Sequence, residues 1–382
     1  MRRMAKTKKT ASLLLLLTAL AVAAVALPAS SAGGGSSAAT GSLGAPRSLF
    51  GIVPQTGLTE ADAEFMRAGG IGSVRWPLAW GGVQPTPDGE YQWGGFDEVV
   101  ATAARQGLTV LPFVYSTPAW LSPKYTTLPV GNARQRSAWV AFLQAAVERY
   151  GPRGDYWREH SRGSGDFVPQ LPLREWQIWN EANFFYFARP VSPTRYAQLL
   201  KISNRALKSA DPGAKTIVSG LFGEPTAKPP NAMSAVDFLE RLYEVPGIEA
   251  SFDGVALHPY AERAVDLQRM TEEMRQVVLD NHDPGAGLYI TEMGWGSQNH
   301  PNLVSFEQGV SFQLREMRSA YRYLVGERRQ LNLHGIYWFT WKDIEGSCNF
   351  CDSTGFFRDS ERLKPKPAWR AFVGLTGGRV RP

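Results

Sequence analysis

Along the body of the chain, apolar residues recur in two alternating rhythms. Short runs rich in β-branched and aromatic residues, Phe50 to Pro54, Ser73 to Trp80, Leu108 to Tyr115, Arg174 to Glu181, Lys215 to Gly220, Phe252 to His258, Leu288 to Glu292 and Gly335 to Thr340, read as eight strands. Between them, Phe96 to Gln106, Arg136 to Arg149, Pro193 to Ser209, Ala235 to Tyr243, Leu267 to Leu279 and Phe306 to Leu324 are amphipathic, with Gly or Pro near several ends, and a last helix is expected over Pro367 to Leu375. Strands alternating with helices imply right-handed βαβ crossovers and a parallel sheet. Eight such units predict a single-domain α/β protein closed into a (β/α)8 barrel. The alternative, a doubly wound open sheet, normally carries a glycine-rich phosphate turn after an early strand. Phe50-Gly51-Ile52-Val53-Pro54 followed by Gln55-Thr56-Gly57 lacks that spacing.

Ahead of this body, Arg2, Arg3, Lys6, Lys8 and Lys9 precede an apolar run from Ala11 to Leu27 and then Ala29, Ser30, Ser31 and Ala32, the layout of a secretory signal peptide. Residues 1–32 are expected to be removed on export to the extracellular space, a retained anchor being the alternative. Residues 33–47, mostly Gly, Ser and Ala, read as a flexible leader, 48–376 as the barrel and 377–382 as a short tail. The formal charge of +6 changes meaning here: removing five of the 41 Lys and Arg leaves 36 against 35 Asp and Glu. The body is near neutral and has no basic run, so a nucleic-acid partner is not expected. The only cysteines, Cys348 and Cys351, are expected to close a small disulfide loop in an exported chain. A thioredoxin-like pair is the alternative, but Asp352-Ser353-Thr354-Gly355 reads as loop rather than helix.

Two glutamates carry the candidate chemistry. Trp176-Gln177-Ile178-Trp179-Asn180-Glu181 and Leu288-Tyr289-Ile290-Thr291-Glu292-Met293-Gly294-Trp295 each end an apolar run with a carboxylate among aromatic residues, where a buried strand emerges. On the strand count Glu181 closes strand four and Glu292 strand seven. Two carboxylates brought to one mouth suit glycoside hydrolysis, which needs a nucleophile and an acid/base about 5–5.5 Å apart in a retaining enzyme.

With these motifs the chain resembles the clan A retaining glycoside hydrolases, the superfamily that includes cellulase-like family 5 and xylosidase-like family 39 enzymes, all with a (β/α)8 TIM barrel. The resemblance covers about Ser48 to Leu375. It implies Glu181 as general acid/base, Glu292 as nucleophile and Asn180 as partner of the sugar 2-hydroxyl. It further implies Arg75, in Ser73-Val74-Arg75-Trp76, against the nucleophile, and His258 and Tyr260, in Leu257-His258-Pro259-Tyr260, lining its subsite. A tryptophan platform is implied at strand eight, where Trp338 is preferred over Trp341, while Trp295 and other loop aromatics are candidate sugar contacts. Where cellulase-like enzymes carry a histidine after strand three, Phe113 to Trp120 has none, and its Thr117-Pro118-Ala119-Trp120 looks more like the xylosidase-like families.

The expectation is therefore a secreted, retaining β-glycoside hydrolase acting on a polysaccharide or oligosaccharide, working as a monomer without metal or organic cofactor and without stable membrane association once the signal is cleaved. A catalytically silent carbohydrate-binding barrel and a transglycosylase are the competing readings.

Overall fold

The computed structural model describes residues 41–299, 305–344, 351–358 and 363–382. Eight parallel strands, β1 (Phe50–Val53), β2 (Ser73–Ala79), β3 (Thr109–Tyr115), β4 (Glu175–Ile178), β5 (Lys215–Phe222), β6 (Gly254–His258), β7 (Gly287–Met293) and β8 (Leu333–Phe339), follow one another around a closed barrel. β8 returns to β1 through Phe50↔Ile336 to Val53↔Phe339. Helices Glu60–Ala68, Gly94–Arg105, Ala133–Tyr150, Pro193–Ala210, Ala235–Tyr243, Ala264–Asp280, Val310–Gly326 and Pro367–Thr376 surround it. Among the described residues, no helix is long and apolar enough to cross a membrane.

The strands carry Val, Ile and Leu on the outward face, where they join the helices in one continuous core, and the helices start where the sequence supplies caps. Ser192 accepts from the Arg195 N–H ahead of Pro193, and Asn132 accepts from the Gln135 N–H. Of these eight helices, one escaped the periodicity. Glu60–Ala68 begins with a capping box, Thr59 and Asp62 accepting from each other's backbone N–H. Its core face includes Asp62, fully buried and bonded by Trp341 Nε1 at 2.8 Å and Lys342 Nζ at 3.1 Å. A buried acid in place of an apolar residue masks the helical rhythm.

The body also reaches beyond the expected 48–376. The Leu43 N–H bonds the Leu375 carbonyl at 2.9 Å, the Arg379 N–H bonds that of Ala68 at 2.6 Å, and Trp369 Nε1 bonds that of Val380 at 2.9 Å. Part of the expected leader and most of the expected tail are thus fastened to the barrel. The signal segment lies outside the described residues, as does Cys348, so the Cys348–Cys351 disulfide does too; the loop expected over Asp352 to Gly355 is corrected, because Cys351–Thr354 forms a short helix of one turn.

Candidate active site

Strand alternation aims every second side chain into the barrel, and in β2 this buries Arg75 completely. An arginine can only donate hydrogen bonds, and a buried one needs acceptors on each arm. Three stand ready: Nε reaches Gln177 Oε1, Nη1 reaches Glu292 Oε1 and Nη2 reaches Asn180 Oδ1, each at 2.6 Å. The guanidinium lies 4.1 Å above the Phe113 ring of β3. One side chain thereby joins β2, β4 and β7.

At β4 the sequence reading overshoots. Pairing stops at Ile178, because Trp179 (φ 71°) and Glu181 (φ 39°) adopt left-handed backbone conformations that no strand accommodates. Non-glycine residues held there cluster at functional sites. The turn is secured by the Trp179 N–H to the Val114 carbonyl at 2.8 Å and the Glu181 N–H to that of Gly220 at 3.2 Å. It carries Glu181 to the mouth of the barrel, where Oε1 lies 2.8 Å from His258 Nδ1. His258 fits only because β5 has glycine opposite: a Cβ on Gly220 would stand 1.9 Å from Nε2.

The bonds around His258 have a fixed polarity. Because Arg75 donates to Gln177 Oε1, the Gln177 amide nitrogen faces and donates to Thr291 Oγ1 at 3.3 Å. The Thr291 hydroxyl gives its hydrogen to His258 Nε2 at 3.0 Å, and Nδ1–H then points at Glu181. The ring is neutral, since burial and then the Arg75 charge push its pKa well below the usual imidazole value.

Glu292, near the end of β7, has each oxygen held: Oε1 by Arg75 and Oε2 by the Tyr260 hydroxyl at 2.7 Å. One oxygen of Glu181 and one of Glu292 lie within 4.8 Å of each other and of a His258 nitrogen. Burial raises the Glu181 pKa well above the carboxylate range; the Glu292 charge adds to this and Arg75 opposes it. Burial and then the Glu292 charge likewise raise the Tyr260 phenol, keeping it a donor. Glu181, His258 and Glu292 form a donor set that a cation could use, but Arg75 already neutralises Glu292, and both nitrogens of His258 are committed.

Thus Arg75, Asn180, Glu181, His258, Tyr260 and Glu292 meet in one site. The tryptophans do not. Trp338 is fully buried on the outer face of β8, its Nε1 donating to the Thr354 carbonyl at 2.9 Å and its ring stacked on Phe356 at 5.1 Å. Trp341 is equally buried between Phe357 and Trp369. Trp295 donates to the Ala261 and Glu262 carbonyls at 3.0 Å and is 1% exposed. The expected platform is therefore corrected. Alternation along β8 is one residue out of phase with the expectation, so Tyr337 and Phe339 face inward, beside Val53, Leu111 and Tyr260. Phe339, joined to Thr340 by a cis peptide bond, is the aromatic residue of β8 at the mouth. Gln177, Thr291 and Phe339 were missed; a polar Gln and Thr on the inward parity of β4 and β7 were the available signal.

Compared with known proteins, the chain is similar to glycoside hydrolases: over part of its length to one family model, and in its (β/α)8 fold to several solved structures. Residues 54–184, roughly a third of the chain, match the family model described as β-galactosidase, glycoside hydrolase family 42. A family 39 glycoside hydrolase of the gut symbiont Bacteroides cellulosilyticus superposes with a TM-score of 0.62 at 18% identity over 88% of this chain and 64% of its own. A monomeric β-xylosidase of Caulobacter crescentus gives 0.59 at 18% identity over 85% and 67%. A thermostable xylanase mutant of Cellvibrio japonicus gives 0.60 at 16% identity over 86% and 97%. The chain thus spans just under two thirds of the length of the family 39 enzyme. No curated protein matches the sequence.

Proposed function

We propose that the protein is a retaining β-glycoside hydrolase that cleaves an oligosaccharide or polysaccharide by double displacement. The observation that carries this reading is the pair of buried carboxylates within 4.8 Å, differently held: Glu181 facing a neutral histidine, Glu292 facing a guanidinium. Such a separation suits direct attack rather than the wider gap that an inverting enzyme leaves for water.

In the first step the Glu292 carboxylate bonds to the anomeric carbon as the glycosidic bond breaks, and the departing oxygen takes the proton of Glu181. The raised pKa of Glu181 keeps that proton available. Ester formation removes the Glu292 charge, the second cause of the raised pKa, so Glu181 becomes a competent base. In the second step it takes a proton from water, whose oxygen attacks the anomeric carbon and releases Glu292. Arg75 fixes Asn180 by its Oδ1, which leaves the amide hydrogens free to bond the sugar 2-hydroxyl. The basic, then apolar, then small-residue order of residues 2–32 supports export of the body.

The test is turnover and product stereochemistry on a panel of β-glucans, xylans, mannans and exopolysaccharides. Glu292→Ala is expected to abolish cleavage, and proton NMR is expected to show the product first appearing with the β configuration. Wild-type turnover in Glu292→Ala, or a first product of inverted configuration, overturns the reading.

A further inference from the structure

The loops after β3 and β4 form an open cleft of about 320 Å3 with walls from Lys124, Tyr125, Phe185, Tyr186 and Arg189. We infer that this pocket is a second sugar subsite that accepts an anionic pyranose, such as a uronate, on the leaving-group side of the bond to be cut; the inference rests on the glycosidase reading.

The position follows from the acid. The leaving part of the substrate departs past Glu181, and the chain turns directly from Glu181 into this pocket: the Phe184 N–H bonds the Glu181 carbonyl at 2.9 Å, and Phe185 and Tyr186 come next. The other wall belongs to the loop that follows β3, and Tyr115 at the end of that strand has its ring 5.2 Å from Phe113, the residue beneath Arg75. The pocket is also built. The Thr117 N–H bonds the Tyr125 carbonyl at 3.0 Å, the Tyr125 hydroxyl bonds the Tyr186 carbonyl at 3.4 Å, and the Arg189 N–H bonds the Thr126 carbonyl at 3.1 Å. Two loops distant in sequence are sewn into one surface.

The ligand class follows from the lining. Tyr125 and Tyr186 are 53% and 59% exposed, an arrangement that leaves aromatic faces in water next to a catalytic cleft. Tyr186 stacks on Phe185 at 4.4 Å, and the Arg189 guanidinium sits 4.9 Å over Phe185 with Nε donating to its carbonyl at 2.9 Å. Sugars offer C–H faces to such rings. Both charged lining residues, Lys124 and Arg189, are cations, and no carboxylate is among the described residues that line the pocket. The two Nη groups of Arg189 and the Lys124 ammonium make no hydrogen bond among the described residues, which leaves a guanidinium edge suited to a carboxylate and a second point charge beside it. A neutral sugar would use the rings and leave both charges unmatched.

The test compares affinities by calorimetry on the full chain carrying Glu292→Gln, at low salt, for matched pairs: xylotetraose against glucuronosyl-xylotriose, and cellotetraose against the β-1,4-linked tetraglucuronate. In at least one pair the acidic member is expected to bind roughly tenfold more tightly, about 1.4 kcal/mol. That preference is expected to shrink as salt rises and to vanish in the same chain with Lys124→Gln and Arg189→Gln, both surface changes that circular dichroism can check for folding. Equal affinities in both pairs, or a preference that survives the double replacement, overturn the inference. Failure of the glycosidase reading shows separately, as an intact chain that cleaves nothing on the glycan panel.

Discussion

Replacing Arg75 by lysine tests the architecture of the site most severely, because charge is kept while the fork is lost. Of the three acceptors now held at 2.6 Å, a single ammonium on a flexible stem can keep Glu292, but it leaves Gln177 Oε1 and Asn180 Oδ1 buried and unbonded. A hydrogen bond from a charged donor contributes about 1.5–3 kcal/mol, so the two lost bonds alone amount to roughly 3–6 kcal/mol, and the lost stack on Phe113 can only add to that. At about 2 °C per kcal/mol for a chain of this size, the melting temperature should fall by roughly 6–12 °C. The kinetic effect should exceed the thermal one. Gln177 no longer orients Thr291, so the imidazole proton that faces Glu181 loses its fixed position, and Asn180 is free to turn. Below the melting temperature, kcat/KM should drop by roughly two to three orders of magnitude, as expected when a preorganised partner of the reacting groups is lost. Calorimetric scans and initial rates on an aryl β-glycoside that the parent cleaves measure both. A variant that melts within 2 °C of the parent, or keeps more than a tenth of its kcat/KM, would refute the claim that one guanidinium organises both carboxylates.

Further expectations concern single contacts. Because the Glu181 pKa is raised, the parent should lose kcat/KM on the alkaline side as pH climbs through that value and the acid surrenders its proton; Glu181→Gln, assayed with a leaving group too good to need an acid, should lack that limb. Tyr260→Phe deletes the bond to Glu292 Oε2 and should lower kcat/KM about 10- to 100-fold, in line with a charge-assisted bond, with little change in melting temperature because the ring still packs against Phe339 and Phe306. Trp338→Phe should lower stability by about 1–3 kcal/mol through its lost bond and volume while leaving KM unchanged, whereas Phe339→Ala should raise KM; the opposite pattern in steady-state kinetics would restore Trp338 to the sugar site.

The contrast between these last two residues shows what the chain spells out and what it conceals. Strand count, barrel closure and the six polar and acidic members of the site were legible, since each lies on a strand whose apolar neighbours announce it or in a short motif such as Asn180-Glu181. Side-chain parity at β8 was not. Tyr337, Trp338, Phe339 and Trp341 are all bulky and aromatic, so composition gives no sign of which face is inward, and the register is set by pairing with β1. The left-handed turn at Trp179 and Glu181 was also hidden, because no glycine or asparagine marks either position. Gln177 and Thr291 looked like ordinary polar strand residues until Arg75 gave them a direction. Their meaning is relational, and arises from strands more than a hundred residues apart.

The bond between Leu43 and Leu375 has a consequence for how the molecule can be rebuilt. It lies on the face where the strands begin: Arg47 of the same N-terminal stretch reaches the Gly107 carbonyl at 3.0 Å, just ahead of β3, and Thr376 reaches that of Gly69 at 2.7 Å, just ahead of β2. Both ends of the ring thus meet across from the reacting groups. A short bridge between them, with new termini opened in the exposed turn around Ser161–Gly165, would give a circular permutant whose eight units start at a different strand while the chemistry at the far rim stays in place. The order in which the units are made is, on this view, a historical accident of the gene rather than a requirement of the catalyst.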